Sequence, residues 1–250
     1  MARKRTLDRL LSKSGVASRT DAARVIRDGR VRVNGRIVRD PEAWADPAAD
    51  SVTLDGRPLR APRRAYIVLN KPRGVVTTAR DPQGRRTVFD VLPERQGHLF
   101  AVGRLDLDTS GLLLLTNDAA FAERLTNPDG GVPKTYLVKA STLLTDEQLD
   151  ALRHGVELDD GPTREAEAVR LRDVSGRSVI ELTIREGRNR QVRRMLQAVG
   201  SKVLKLVRVR IGPLSLDGLP PGGRRELDPR EVRALMAPNS RRPAPPKEDP

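Results

Sequence analysis

Residues 103–118 read Gly-Arg-Leu-Asp-Leu-Asp-Thr-Ser-Gly-Leu-Leu-Leu-Leu-Thr-Asn-Asp. The four consecutive leucines, bounded by a glycine and by polar residues, predict a buried strand that is too short to span a membrane. Arg104, Asp106 and Asp108 then lie in the loop that leads into this strand. Because an ionised carboxylate beside a buried strand needs a partner or a chemical role, this loop is a candidate functional site.

Around this run, apolar patterns typical of strands and helices alternate irregularly. Strands are predicted at 66–70, 112–115, 134–140, 165–171, 178–184 and 204–211, and helices at 119–126, 146–153 and 189–199. Strands and helices in this order favour a mixed, mainly antiparallel α+β domain.

The first 60 residues predict a smaller α/β module. Leucines at helical spacing indicate a short first helix, and a second helix is predicted over 21–28. An Asn-Gly pair between alternating apolar residues predicts a β-hairpin over 31–38, and a further strand is expected at 51–54.

Composition also suggests where the units begin and end. Residues 40–50 are predicted to form a loop, and residues 57–64, with two prolines among four arginines, a linker. We therefore expect a module at 1–60, a linker at 61–65, a larger domain at 66–237 and a disordered tail at 238–250, which has almost nothing apolar to bury.

The positive charge is concentrated in two segments. The formal net charge is +14; residues 1–60 hold 14 Lys and Arg against 8 Asp and Glu, and residues 184–210 hold 9 against 1. The rest of the chain carries 24 residues of each sign, as an ordinary solvated surface does. Clustered cations indicate a polyanionic partner, because they release counterions when they bind nucleic acid. A basic surface that serves only solubility is the alternative.

Several classes of chemistry are disfavoured by composition. The chain has no cysteine, which excludes disulfides and thiolate sites, and its two histidines, His98 and His154, make a histidine metal centre hard to assemble. A carboxylate pair at Asp106 and Asp108 lacks a further acidic ligand nearby, so no metal is expected. No signal-peptide core or membrane span is visible, and we expect a cytoplasmic protein without a membrane partner.

A second informative stretch, residues 186–196, reads Glu-Gly-Arg-Asn-Arg-Gln-Val-Arg-Arg-Met-Leu. A glycine turn here leads into a helix whose first turns carry Arg190, Arg193 and Arg194. Arginines at a helix N-terminus predict a receptor for phosphate or carboxylate. A solvated basic helix face is the simpler interpretation.

Together these motifs resemble the bacterial ribosomal RNA pseudouridine synthases of the RsuA/RluB type. The resemblance is carried, in order along the chain, by residues 69–74 (Leu-Asn-Lys-Pro-Arg-Gly), 103–106 (Gly-Arg-Leu-Asp), 134–136 (Lys-Thr-Tyr) and 186–194. Residues 6–37 look like the alpha-L RNA-binding domain, the type first seen in a ribosomal small-subunit protein.

The resemblance implies roles for particular residues. Asp106 matches the catalytic aspartate, Tyr136 the tyrosine that packs on the target base, and Arg193 the basic residue paired with that aspartate. RNA contacts are expected from Lys71, Arg104, Arg188, Arg190, Arg194, Arg19 and Arg32. The implied activity is site-specific isomerisation of uridine in ribosomal RNA without cofactor or metal, with large-subunit RNA favoured by the sequence at 189–194. We expect a monomer acting on ribosomal RNA or on a subunit assembly intermediate.

Two other functions compete with this one. A non-catalytic RNA-binding factor in ribosome assembly explains the charge, but it gives no role to a loop aspartate. A DNA-binding regulator that uses residues 6–28 as a helix-turn-helix is disfavoured, because a hairpin follows immediately. Whether Asp106 attacks ribose, attacks the uracil ring or removes a ribose proton stays open.

Overall fold

A computed structural model describes residues 4–47, 49–59, 63–92 and 99–237. In the N-terminal part, two helices pack on short strands around a small apolar core. The elements are β1 (Arg5–Thr6), α1 (Leu7–Lys13), α2 (Arg19–Arg27), β2 (Val31–Val33), β3 (Arg36–Ile37), β4 (Trp44–Ala45), β5 (Val52–Leu54) and β6 (Arg57–Pro58). Leu7, Leu11 and Ile26 are fully buried between the helices and the strands.

The predicted hairpin is confirmed. Asn34 and Gly35 both have positive φ, 51° and 80°, as a two-residue turn that matches strand twist requires. Two expectations nearby were wrong: the loop predicted at 40–50 contains β4, which pairs with β1, and the linker predicted at 57–64 begins with β6, which pairs with β5. Both strands are two residues long, too short for an apolar pattern: β4 is held by the distant β1, and β6 returns on β5 through a two-residue turn at Asp55 and Gly56, whose φ angles are 50° and 76°.

The larger part contains β7 (Tyr66–Lys71), β8 (Phe100–Val102), β9 (Ser110–Thr116), α3 (Ala119–Thr126), a 3₁₀ turn (Pro128–Gly130), β10 (Lys134–Ala140), α4 (Asp146–His154), β11 (Glu167–Asp173), β12 (Ser178–Ile184), α5 (Gln191–Ala198), β13 (Val203–Ile211), β14 (Leu214–Ser215), β15 (Arg224–Glu226) and α6 (Pro229–Met236). Within the described ranges, nine of these strands form one sheet with the order β11-β12-β10-β13-β9-β7-β15; β8 pairs with β9, and β14 with β13. Every pairing is antiparallel except that of β13 with β9. The mixed, mainly antiparallel α+β prediction is confirmed.

The leucine run forms the middle of β9 and is buried on both sides of the sheet. Leu113 and Leu115 belong to the core shared with α4 and α5, whereas Leu112 and Leu114 belong to the core shared with α3 and α6. A strand covered on both faces reads as a continuous apolar run, which explains why this segment was recognisable.

Some elements were not foreseen. β8, β15 and α6 have no counterpart among the predicted elements, and the helix predicted at 189–199 begins only at Gln191. The predicted boundaries at 1–60, 61–65 and 66–237 stay predictions. Residues 61–62 of the predicted linker, His98 and the tail at 238–250 lie outside the described residues.

Candidate active site

Backbone contacts hold the loop that carries Asp106 against the turn after β7. The Thr77 hydroxyl donates to the carbonyl of Leu105 at 2.8 Å, and the Gly74 amide donates to the carbonyl of Leu107 at 2.8 Å. Asp106 therefore sits between two anchored residues, and its side chain keeps 31% of its exposure.

Lys71 lies beneath this loop and is fully buried. Its Nζ donates to the carbonyls of Pro72, Asp106 and Thr109 at 3.2, 3.0 and 2.8 Å, so each ammonium hydrogen has an acceptor. Burial lowers the pKa of Lys71 to about 8, while Asp106 and Asp108 act in the opposite direction. The expected contact of Lys71 with RNA phosphate is thus wrong: the ammonium is enclosed and fixes the loop backbone instead.

Gly111 lets the loop enter β9 directly beside β13. Its φ is +107°, and a Cβ placed there would lie 2.2 Å from the carbonyl oxygen of Arg208, its partner in the parallel ladder. Only a residue without a side chain fits this approach.

Two arginines neutralise the two loop carboxylates. Arg190 Nη1 lies 3.5 Å from Asp106 Oδ2 and 3.5 Å from Asp108 Oδ1, whereas Arg193 Nη2 lies 2.9 Å from Asp108 Oδ2. Among the described contacts Arg190, and not Arg193, makes the ion pair with Asp106, although the charge of Asp106 also acts on Arg193. The expected catalytic role of Arg193 stays a prediction. Arg193 also donates to the backbone carbonyl of Asp108 at 3.2 Å, which places its guanidinium two residues further along the loop.

The backbone conformation at the start of α5 explains why Arg190, rather than Arg193, faces Asp106. Arg190 precedes the helix in the left-handed region, with φ 48° and ψ 30°, while Arg193 lies in the first helical turn. Arg193 is only 15% exposed, and burial lowers its pKa although Asp108 opposes the shift. The pair with Asp108 thus compensates a partly buried cation.

Tyr136 faces the same site from β10 and is 9% exposed. It lines a cleft of about 420 Å³ together with Asp106 and Arg190. The other lining residues are Val102, Gly103, Arg104, Leu105, Thr109, Leu125, Thr126, Lys134, Ile184, Gly187, Arg188, Asn189, Gln191, Val192, Leu206, Arg208 and Ile211. A cleft of this size, in which six charged side chains lie among apolar walls, suits one nucleoside of a polyanionic chain.

Arg188 and Arg194 are held by internal partners. Both pair with Asp160, Arg194 at 2.7 and 3.1 Å and Arg188 at 3.4 Å, and Arg188 also donates to the carbonyls of Gly161 and Pro162. These contacts tie α5 and the turn before it to residues 160–162. A guanidinium whose N–H groups already have acceptors has fewer donors left for a phosphate. The role of Arg188 and Arg194 in RNA binding stays a prediction.

The remaining predicted RNA contacts lie on the surface. Arg104 is exposed at the rim of the cleft. In the N-terminal part, Arg32 is exposed and donates to the carbonyl of Gly35 at 3.1 Å, and Arg19, 63% exposed, pairs with Asp8 at 2.7 Å. These two arginines are far along the chain from the cleft and belong to the first basic segment.

Lys134 and Arg208 are site residues that sequence reasoning missed. Lys134 was noticed only as the first residue of the 134–136 motif, although it lies two residues before Tyr136 and therefore on the same face of β10. Arg208 is 5% exposed and pairs opposite Tyr136 in the β10–β13 ladder. No local pattern points to Arg208, because an arginine in a strand usually lies on a solvated face.

Within 4–47, 49–59, 63–92 and 99–237, no group of three or more His, Cys, Asp or Glu side chains has an arrangement that could hold a metal ion. Among the helices of these ranges, none combines the length and the apolar character that crossing a bilayer requires.

Comparison with known proteins places these features in a family. The family model described as RNA pseudouridylate synthase matches residues 65–198, and the S4 domain model matches residues 5–43. The chain belongs to the RNA pseudouridylate synthase family. The synthase is 41% identical to the ribosomal large subunit pseudouridine synthase B of Bacillus subtilis, over 92% of this chain and 95% of that protein.

Two further relatives agree. An RNA pseudouridine synthase of Aquifex aeolicus, named as uncharacterized, is 39% identical over 92% of this chain and 93% of its own. A crystal structure of a pseudouridylate synthase is 33% identical, with a TM-score of 0.67 over 92% of this chain and 99% of that one. The resemblance to pseudouridine synthases and the assignment of the chain as an RNA pseudouridine synthase are confirmed.

Proposed function

We propose that the synthase converts a specific uridine of ribosomal RNA, in the large subunit, into pseudouridine, with Asp106 as the catalytic group. The observation that carries this proposal is the cleft in which the Asp106 carboxylate and the Tyr136 ring face one nucleoside-sized space. Two segments of positive charge, residues 1–60 and 184–210, support a large RNA as the partner.

The reaction needs three things from the protein. The bond between ribose C1′ and N1 of uracil breaks, the base turns, and a bond from C1′ to C5 forms, while C5 loses a proton and N1 gains one. A carboxylate beside the sugar supplies a nucleophile or a base. An aromatic face holds the detached ring, and apolar walls limit the access of water.

Asp106 is placed for this role by its surroundings. Arg190 gives it a counter-charge at 3.5 Å, and the anchored loop fixes its backbone. Tyr136 offers a ring face from a rigid strand in the middle of the sheet. Since the target base must leave its stack to enter the cleft, a loop or bulge in the RNA is the expected site.

The substrate assignment is supported by the relatives and by the N-terminal part. The relative from Bacillus subtilis is named for the large ribosomal subunit, and the matched S4 model lies in the segment that carries a net excess of six cations. We propose that this segment grips structured ribosomal RNA, free or in an assembly intermediate. We further propose that the synthase acts as a monomer in the cytoplasm.

Replacement of the carboxylate tests the proposal. Asp106→Asn should abolish pseudouridine formation in ribosomal RNA, because the amide is neither a nucleophile nor a base, and should leave RNA affinity within about threefold. Pseudouridine is mapped in ribosomal RNA from cells with the wild-type gene, the variant gene or no gene. The matched control is Asp129→Asn, an exposed carboxylate outside the cleft, which should retain full activity.

The same experiment separates this function from that of a non-catalytic assembly factor. Full turnover by Asp106→Asn would contradict the assignment of Asp106 as the catalytic group. A map without any difference between cells with and without the gene, alongside defective subunit assembly, would favour the binding factor.

A further inference from the structure

We propose that Lys134 and Arg208 form a cationic floor in the cleft that binds a carbonyl oxygen of the uracil ring and stabilises the negative charge on the base once its bond to ribose is broken. This inference rests on the proposed function and gives a role to two residues for which the sequence analysis proposed none.

The strand register places both cations around Tyr136. Lys134 lies two residues before Tyr136 on the same face of β10, about 7 Å along the strand. Arg208 is the residue opposite Tyr136 on β13, and on its other side β13 pairs Arg208 with Gly111, at the end of the Asp106 loop. Arg208 therefore lies between the strand of the tyrosine and the loop of the aspartate.

Neither cation is fully satisfied by the protein. Arg208 uses Nε to donate to the carbonyl of Leu112 at 2.7 Å, but its buried Nη2 has no hydrogen-bond partner in the described structure. Among the described residues the Lys134 ammonium has no ion pair and no side-chain hydrogen bond; only burial and the charge of Arg208 act on its pKa. Because a buried donor without an acceptor is unfavourable, such a donor in a cleft points to a ligand that supplies the acceptor.

The chemistry of the base fits these donors. When the C1′–N1 bond breaks, its electron pair stays on uracil, and the charge spreads from N1 to the O2 and O4 oxygens. Two cations in a desolvated floor stabilise this charge more than they stabilise neutral uridine, which is the requirement for catalysis. The base later forms its bond from C5 to C1′, loses the C5 proton and gains a proton on N1, so the cations are unchanged.

A backbone phosphate fits the floor less well. A phosphodiester remains in the RNA chain at the mouth of the cleft, where exposed Arg104 lies. Arg208 is 95% buried, since its exposed fraction is 5%. The part of the substrate that reaches such depth is the flipped base.

Single-turnover kinetics at saturating RNA test the floor. Lys134→Met should lower the rate of isomerisation by about 100-fold, the scale of removing one charge-stabilising donor, and leave the dissociation constant of the RNA within threefold. Lys139→Met, on the opposite face of the same strand, is the matched control and should change neither value. If Lys134 instead holds a phosphate, Lys134→Met binds RNA more weakly, the slope of log affinity against log salt falls by about one, and the rate at saturating RNA is unchanged. That outcome would overturn the proposal.

The pH dependence of the rate gives a second, independent readout. Burial beside Arg208 lowers the pKa of Lys134 to about 8, so the wild-type rate should fall about tenfold per pH unit above that value as the charge is lost. Lys134→Arg keeps its charge and should retain at least a tenth of the wild-type rate at pH 7, and its rate should fall less steeply than that of the wild type between pH 8 and 9.5. This variant and the wild-type profile remain decisive even if Lys134→Met does not fold.

The other titratable groups near Lys134 are the same in the wild type and in Lys134→Arg. The titratable or charged residues lining the cleft are Arg104, Asp106, Tyr136, Arg188, Arg190 and Arg208, and Lys71 lies beneath the Asp106 loop. If one of these causes the alkaline fall, Lys134→Arg shows the same fall and the proposal is wrong. If the wild type is active and Lys134→Met isomerises uridine at the same rate, only this inference is overturned. If the wild type makes no pseudouridine, the proposed function is overturned as well.

Discussion

At the scale of single residues, the site depends on buried cations whose partners cannot be predicted from the sequence. Lys71, Arg193 and Arg208 are each at least 85% buried in the structure, and each donates to backbone carbonyls near the start of β9. A long cationic side chain that satisfies carbonyls from distant segments acts as a cross-link. The loop that presents Asp106 thus owes its position to buried charge as well as to apolar packing.

Lys71→Met tests the contribution of this buried ammonium. Three carbonyls lose their donor, so the free energy of unfolding should fall by about 2 kcal/mol, and isomerisation should slow because the Asp106 loop loses an anchor. Urea unfolding and single-turnover assays measure the two effects. Lys202→Met, at an exposed lysine, should be neutral; equal stability of both variants would contradict the cross-linking role.

The stability of the same variant should also depend on pH. The pKa of Lys71 is about 8, below the ordinary 10.5, so between these values the unfolded chain binds more protons than the folded one. The wild type should therefore gain stability relative to Lys71→Met as the pH rises from 8 to 10. A constant difference over this range would show that the ammonium titrates normally.

At the scale of elements, the site is built where β9 and β13 run parallel in an otherwise antiparallel sheet. This junction puts the Asp106 loop beside β13, and β13 brings Arg208 to the strand of Tyr136. Gly111 permits the contact because its backbone approaches Arg208 too closely for a side chain. The parallel pair is therefore the element-level feature that creates the cleft.

Gly111→Ala should disrupt this junction. The added Cβ meets the Arg208 carbonyl at 2.2 Å, in addition to the strain of a φ of +107°, and we expect a loss of about 3 kcal/mol or more in the free energy of unfolding. Gly161→Ala is the matched control, because its φ is +95° and nothing lies within 4 Å of the added atom. In this variant the free energy of unfolding should fall only by the strain of an alanine at positive φ, about 1–2 kcal/mol. Equal losses would show that the close approach is not limiting.

At the scale of the whole molecule, positive charge occurs in two segments with different tasks. Residues 184–210 line and support the cleft, and many of their arginines have internal partners. Residues 1–60 belong to the N-terminal part, where Arg32 is exposed on β2. We therefore expect affinity for RNA to depend on the N-terminal charges and chemistry on the cleft.

Arg32→Gln tests this division of tasks. Loss of one phosphate contact should weaken RNA binding and lower the slope of log affinity against log salt by about one, because one fewer counterion is released. The single-turnover rate at saturating RNA should stay unchanged. Arg230→Gln, at an exposed arginine of α6, should leave affinity as it is; an effect on rate instead of affinity would contradict the division.

The sequence alone determined the features that depend on near neighbours. The Asn34-Gly35 turn has a local conformational cause, and the leucine run of β9 was recognisable because both of its faces are covered. The residues of α3 and β10 coincide with the predicted 119–126 and 134–140. Motif order was enough to indicate the family, and with it Asp106 and Tyr136 as candidates.

Tertiary structure decided which charges meet. Arg193 is 85 residues from its partner Asp108, and Lys71 is 35 residues from the Asp106 carbonyl it binds. Lys134 and Arg208 become neighbours only through the β10–β13 register. Local propensity carries no information about such pairs, because their energy comes from burial and from the fixed separation of strands in the folded sheet.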